Sequence, residues 1–489
     1  MVKVVVGEET RLEPAENRLA QSAIPAQVGL VIGKLSSKLD RGFIFDLVPT
    51  PLNDAGDPAC SIIEPLKAEK KSSKSKSYVD SSYLSIDKDW VSEHARQVSR
   101  LLVGGVKVVG IYVWAGETCF KNSTLVLCQT VKVVAGAAPA LQSGSDEMLL
   151  LHISYSPRRW TCRKCSVSPN ITSSNLRPCD FKLGRLLNSL QTFRCIYNFC
   201  MRLPICCESL SYCKMLNDVL LDGISTHMKE LKGAKAIIDG NLVDVIADEP
   251  CASDNVHEVE LLLPILKDIS LEASSQKDVA GVVIYSGVVC SYSYLNAKEP
   301  VSQAVADIKE DIIMSLRSRL DIISDEADRE TAAASEVGSE TNLTKSSIKS
   351  ACQIIQQSVR TQCILPFPRR VFIPWLAGTF ICDYLLPTET FEALKDHFVE
   401  LLSMEAPEDD SILWQPEKEL PPLTAMSFWH VAAPLYPASD AVQIEKSWND
   451  AVDGDSKYST TRNINGIYAS FVLLVAIILG FLFYARSCR

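Results

Sequence analysis

The sequence contains no H-E-x-x-H, no G-x-S-x-G and no G-x-G-x-x-G. These absences exclude the familiar helical zinc-hydrolase motif, the nucleophile elbow and the dinucleotide fingerprint. Histidine is scarce: six residues in 489, far apart along the chain. Any Cys–His pairing therefore has to be assembled by the fold. Positive charge is not in excess either. A formal net charge of −10 argues against a general nucleic-acid binder, which needs a basic face for phosphates. The one basic run, KAEKKSSKSKS (Lys67 to Ser77), is Ser-rich with no aromatic residue between its lysines. It reads as a solvated loop, with contact to acidic lipid or protein as the alternative. The nearest approach to a phosphate loop is GLVIGKLSS, but its glycines stand one residue too close, and Leu35 follows Lys34 where a hydroxyl is required. A strand and turn explain it better. The N-terminal MVKVVVGEETRL holds too short an apolar run for a signal peptide.

Aromatic residues make up only 7%, yet the hydrophobic fraction of 47% is enough for a large core. A chain of this length with such a core does not need disulfides, so the seventeen cysteines read as reduced and mostly buried. Cys162 and Cys165 form a C-x-x-C in RRWTCRKCSV. On a strand, positions i and i+3 face opposite ways, so the pair could share a metal only at a turn. No second C-x-x-C follows to complete a zinc set, and no cofactor is expected.

The hydrophobic periodicity predicts an α/β (α+β) fold. A mixed-sheet domain over 1–160 is followed by a second α/β region over 161–402, a polar tether over 403–466, and an apolar helix over 467–485 with a short tail, 486–489. QVGLVIGKL and GFIFDLVPTP read as strands. DKDWVSEHARQVSRLLVGG reads as a helix capped by Asp87 and stopped at Gly104 and Gly105, with His94 as a core histidine making one hydrogen bond. VKVVGIYV and EMLLLHISYS are strands, and STLVLCQTVKVVAG a helix. In the second region TFRCIYNFCMRL alternates as a half-buried strand and GVVIYSGVVCSYSYL reads as a strand pair. EPVSQAVADIKEDIIMSLRSRLDII is a helix with Val301, Val305, Ile308, Ile312, Leu316 and Leu320 as its stripe. A polar insertion over 324–347 reads as a loop, RRVFIPWLAGTFICDYLL as a hairpin near Gly378, and TETFEALKDHFVELL as a closing helix. Within the tether, the stretch containing Trp414 and Trp429 is too apolar for a plain spacer; it either docks on the domain or binds a partner.

The run IYASFVLLVAIILGFLFYA carries no charge. At 1.5 Å rise per residue it spans roughly 28 Å, the hydrocarbon thickness of a thin bilayer. Ile467, Phe471, Leu474, Ile478, Phe481 and Tyr484 mark it as a membrane anchor. Only RSCR follows it, so the bulk is expected to face the cytosol as a single-pass, tail-anchored protein, although Arg486 and Arg489 act against that orientation.

The order of strand QVGLVIG, a second strand, helix EHARQVSRLL and strand VKVVGIYV resembles the MPN (JAB) fold of isopeptidases that cleave ubiquitin-like modifiers. That resemblance implies a glutamate ahead of the first strand, a His-x-His at the end of the later one and a Ser-x-x-Asp beyond it, together holding zinc. In this sequence the glutamate position falls near Ala26, the histidines become Val113 and Ala115, and the aspartate becomes Val126; only Ser123 remains. The expectation is a fold kept for binding, with no metal and no catalytic residue.

The longer segments EHARQVSRLLVGGVKVVGIYV, VSQAVADIKEDIIMSLRSRLDII and RRVFIPWLAGTFICDYLLPTETFEALKDHFVELL, followed by one C-terminal anchor, resemble the odorant-response-abnormal-four family. The resemblance implies a non-catalytic endoplasmic-reticulum membrane adaptor. Its implied partners are a cysteine protease that processes the ubiquitin-fold modifier, multi-span membrane receptors as clients, and the lipid bilayer. A direct folding or export factor for multi-span proteins is the alternative, and an enzyme with an unrecognised Cys–His site a third reading.

Overall fold

Valine-rich, β-branched runs pack well on a pleated surface, and they supply most of the first sheet. In the computed structural model the described residues are 2–36, 39–64, 82–138, 147–167, 175–209, 212–213, 216–243, 256–264, 279–336, 363–405, 413–417 and 420–427. The first elements are β1 (Val4–Glu8), α1 (Glu9–Gln21), β2 (Gln27–Ser36), β3 (Arg41–Pro49), β4 (Cys60–Ile63), β5 (Tyr83–Ile86) and α2 (Lys88–Leu101). Next come β6 (Lys107–Trp114), α3 (Glu117–Asn122), α4 (Thr124–Ala137), β7 (Glu147–Tyr155), β8 (Arg158–Ser166) and β9 (Leu176–Gly184). Seven of these strands close a barrel in the order β1-β3-β2-β6-β7-β8-β9, sealed by parallel pairing of β1 with β9. The sheet thus takes in strands beyond residue 160. β4 and β5 form a separate two-stranded ribbon, one strand on each side of the basic run Lys67–Ser77 in the sequence.

The barrel strands are apolar on both faces because each face carries helices. Leu12, Ala15 and Leu19 of α1 pack on Val31, Ile44, Leu149 and Ile153. The opposite face, with Leu30, Ile32, Phe45 and Ile111, packs under α2 and α4. Asp87 caps α2 by accepting the Trp90 N–H at 3.0 Å. Gly104 and Gly105 end the turn with φ of 73° and 78°, a region that favours glycine.

The second half comprises β10 (Leu190–Ser209), β11 (Tyr212–Cys213), α5 (Leu216–Gly233), β12 (Lys235–Ile238), β13 (Asn241–Val243), β14 (His257–Leu262) and β15 (Val279–Asn296). It continues with α6 (Val301–Glu336), β16 (Cys363–Leu365), β17 (Arg369–Pro374), β18 (Phe380–Leu385), α7 (Phe391–Leu402) and β19 (Leu423–Ser427). The second sheet runs β13-β12-β14-β10-β15-β19-β16, with β11 on β10. Phe193, Cys195, Tyr197, Phe199 and Met201 all turn inward from β10, toward α5 and α6.

The strand pair expected over 281–295 is instead one 18-residue strand, β15. It pairs with β10 from Asn296 opposite Leu190 to Gly281 opposite Ile205, so Gly287 lies within a strand and packs under Leu420. The loop expected from residue 324 begins as helix, since α6 runs to Glu336. Its last residues, rich in Glu, Arg and Ala, are good helix formers. β17 and β18 form the expected hairpin, turning through Ala377 and Gly378 at φ 40° and 86°.

Residues 413–417 and 420–427, in the stretch that reads as a tether, lie on this body. Trp414 exchanges two backbone hydrogen bonds with Phe372, and β19 inserts between β15 and β16. Residues Met1–Phe428 make one compact unit. Among the described residues no helix is long and apolar enough to cross a membrane. The run 467–485 (with Ile467, Phe471, Leu474, Ile478, Phe481 and Tyr484) lies outside the described residues, as do Trp429 and Lys67–Ser77.

Candidate functional site

The strand-end position singled out in the sequence lies where β6 leaves the barrel. Val28 of β2 stands opposite Val113, and Gln27 opposite Trp114, so Ala26 and Ala115 come to the same end of the strand pair. Ala26, Val113 and Ala115 are buried in one apolar cluster, and Val126 of α4 packs against it. Their side chains offer only carbon atoms.

Ser123, between α3 and α4, does reach this end, but its hydroxyl is engaged. Its Oγ accepts the Leu84 N–H at 2.6 Å and donates to the Cys119 carbonyl at 2.8 Å. It holds the β5 ribbon against the helix pair.

One residue here escaped the sequence reading. His152 of β7 lies directly beside Val113, because β6 and β7 pair in parallel. Nothing in the local sequence flags it, since only that cross-strand register brings it to the site. Its Nε2 donates to the Ala115 carbonyl at 3.0 Å, Thr161 lies at 3.4 Å from Nδ1, and its ring stacks on Phe120 at 3.9 Å. Burial lowers its pKa, against the raising effect of the Ala115 carbonyl. A lone, stacked, hydrogen-bonded imidazole does not make a metal site. Among the described residues no three His, Cys, Asp or Glu side chains converge. The donor set therefore does not fit the zinc of the hydrolases this order of elements resembles. The C-x-x-C fits no better: Cys162 and Cys165 lie on β8 and belong to opposite apolar clusters. His94 makes one hydrogen bond, through Nε2 to the Leu401 carbonyl at 2.8 Å.

The densest polar chemistry lies on α6, which the sequence presents as a plain amphipathic helix. Asp307 accepts from Lys34 Nζ at 2.6 Å, Glu310 from Lys107 at 2.8 Å, and Asp311 from both Arg370 terminal nitrogens at 2.8 Å. Ser291 and Ser293 of β15 donate to Asp311 and Asp307. Lys34, the lysine of the near-miss phosphate loop, thus serves as a buried ion-pair partner.

About two turns further along the helix, Arg319 meets Glu417 at 2.7 Å, with both side chains fully buried. Glu417 also accepts the backbone N–H groups of Cys290 and Arg370, each at 2.9 Å. Arg319 lies over the rings of Phe367 and Tyr384. Acids three and four residues apart on one helix face therefore pair with cations from β2, β6 and β17. The segment carrying Trp414 is tied into the same seam through Glu417. Trp414 itself stays 45% exposed.

The described body is a mixed α/β protein with a closed barrel and a second sheet, and its candidate site offers packing surfaces in place of a ligand set. The chain belongs to the Odorant response abnormal 4-like family, whose model matches residues 29–413. It is similar to Protein odr-4 homolog of Xenopus laevis, 23% identical over 425 residues, covering 82% of this chain and 84% of that one. The homolog from Mus musculus is 24% identical, covering 79% and 80%, and that from Dictyostelium discoideum 26% identical, covering 82% and 80%. Among solved structures, UfSP from C. elegans aligns at 6% identity and a TM-score of 0.35, over 82% of this chain and 56% of that one. At that score the overlap carries no argument about fold or function.

Proposed function

We propose that this chain is a non-catalytic adaptor in the trafficking of membrane receptors. Its body faces the cytosol, and residues 467–485 hold it at the endoplasmic-reticulum membrane. The body recruits a soluble partner, the cysteine protease that processes the ubiquitin-fold modifier, close to multi-span clients. Tethering would raise that partner's effective concentration at the membrane without any new contact.

The observation that carries this reading is the family match over residues 29–413, joined in one chain to an uncharged 19-residue run. The apolar filling at Ala26, Val113, Ala115 and Val126 supports binding rather than zinc-dependent cleavage. The exposed Trp414, held by a buried seam, is a candidate partner contact.

The test is affinity purification of the full-length chain from cell membranes, with partners identified by mass spectrometry. Recovery of the modifier protease supports the adaptor. A chain recovered from membranes with receptors but no protease contradicts it. Replacing residues 467–485 by an unrelated apolar span should leave receptor export nearly unchanged. Loss of export on that replacement would favour direct contact with transmembrane clients, the folding-factor alternative.

A further inference from the structure

β8 and β9 run antiparallel and place Cys162 directly opposite Cys179. Opposed residues share a face of the sheet, and both sulfurs lie on the side covered by α1. The two thiols are close enough to perturb each other's ionisation. Cys162 is buried, whereas Cys179 is partly exposed and its S–H reaches the Lys3 carbonyl at 3.3 Å. That contact lies where β9 meets β1 to seal the barrel. Opposed Cβ atoms on antiparallel strands are about 4.5–5.5 Å apart, and a disulfide requires about 3.5–4.5 Å. The remaining closure is small.

We propose that Cys162 and Cys179 form a reversible disulfide on the barrel's closing seam, a redox modification site in which Cys179 is the sulfur that reacts first with a peroxide. The Cys179 thiolate attacks one peroxide oxygen; an S–O bond forms, the O–O bond breaks, and the leaving hydroxide takes a proton to become water. The Cys162 sulfur then attacks the Cys179 sulfenic sulfur; an S–S bond forms, the S–O bond breaks, and a second water leaves with the Cys162 proton. Two thiols lose two electrons to one peroxide, and a dithiol reductant reverses the change.

The order of reaction follows from the surroundings. The neighbouring Cys162 thiol first, and then the Lys164 ammonium, hold the Cys179 thiol below its ordinary range, against partial burial. The neighbouring Cys179 thiol, with burial, pushes Cys162 well up. Cys179 is thus both the better thiolate and the more accessible sulfur. The disulfide removes the S–H that reaches Lys3 and ties β9 to β8, so it acts on the strand that closes the barrel. Cys128 of α4 and Cys165 of β8 are a second pair of neighbouring thiols, but both are buried. They serve as an internal comparison. This site does not depend on the adaptor reading.

The test exposes the full-length protein to increasing hydrogen peroxide, then alkylates remaining thiols and maps peptides by mass. Cys162 and Cys179 should lose alkylation together and before Cys128 and Cys165, appear as one cross-linked peptide pair, and recover with dithiothreitol. In Cys162→Ser, Cys179 should stop at the sulfenic acid and be captured by dimedone. If that variant fails to fold, the wild-type cross-link alone carries the test. Cys162 and Cys179 remaining fully alkylatable at a peroxide dose that oxidises the exposed Cys200 would overturn the proposal. So would a Cys179 cross-link to any other cysteine.

Discussion

Glu417 is a carboxylate side chain with no access to water, and the protein itself supplies its hydrogen-bond partners. Arg319 and two backbone N–H groups supply the donors that water would have given. Removing the charge leaves Arg319 buried without its counter-ion. Glu417→Gln should therefore lower the free energy of unfolding by about 3 kcal/mol, read from urea denaturation, since breaking one member of a buried pair costs about 3–5 kcal/mol. A loss well under 1 kcal/mol would mean that the seam does not hold the body together. His152 gives a pH signature. Burial first of all lowers its folded pKa below the ordinary value of about 6.5, so the unfolded chain binds protons more readily as pH falls. The stability it contributes is complete above that ordinary value and is lost as pH drops through it. The urea midpoint should fall between about pH 7.5 and about pH 5.5, and fall less in His152→Gln. An identical drop in wild type and variant would remove His152 as a cause.

The elements differ in how openly the sequence declares them. α2 announces itself through Asp87, a regular stripe and two closing glycines, and β10 through strict alternation; both rest on local patterns that the structure preserves. β19 has no such pattern. LTAMS lies between prolines and gains its identity only by inserting between β15 and β16, which are distant in sequence. The same limit hid His152, whose importance depends on its register beside Val113, and the acidic row of α6, whose partners come from β2, β6 and β17. The expectation of no metal at Ala26, Val113, Ala115 and Val126 rests on residue type alone: Val and Ala side chains carry no metal-binding atom wherever they fold. The position of β19 makes a test at this scale. A chain ending at residue 402 lacks both Glu417 and the strand between β15 and β16, whereas one ending at residue 428 keeps them. The shorter chain should resist limited proteolysis far less than the longer one. Equal resistance would show that the 413–427 segment is dispensable to the body. Gly104 is a second point of dependence, because a Cβ there would approach Tyr294 Cδ2 to 2.1 Å at a φ of 73°. Gly104→Ala should destabilise by about 1–3 kcal/mol by thermal melting, the range for strain at a special backbone position.

For the whole molecule, the charged seam and the apolar strand ends have opposite consequences. The seam joins the barrel strands β2 and β6 to the helix and hairpin of the second half, so the body should unfold as one unit and present one rigid surface. Among the described residues the strand end of β6 is lined by Ala26, Val113 and Ala115, with His152 beside them. The chain belongs to its family over most of its length. The most direct measurement is quantitative co-purification from detergent-solubilised membranes, with bound protease counted against the full-length chain. The expected result is a membrane-bound chain carrying the modifier protease in near-equal amount, and losing it when Trp414→Ala removes the exposed ring. A chain that partitions into the soluble fraction, or that leaves membranes without any protease, would contradict it.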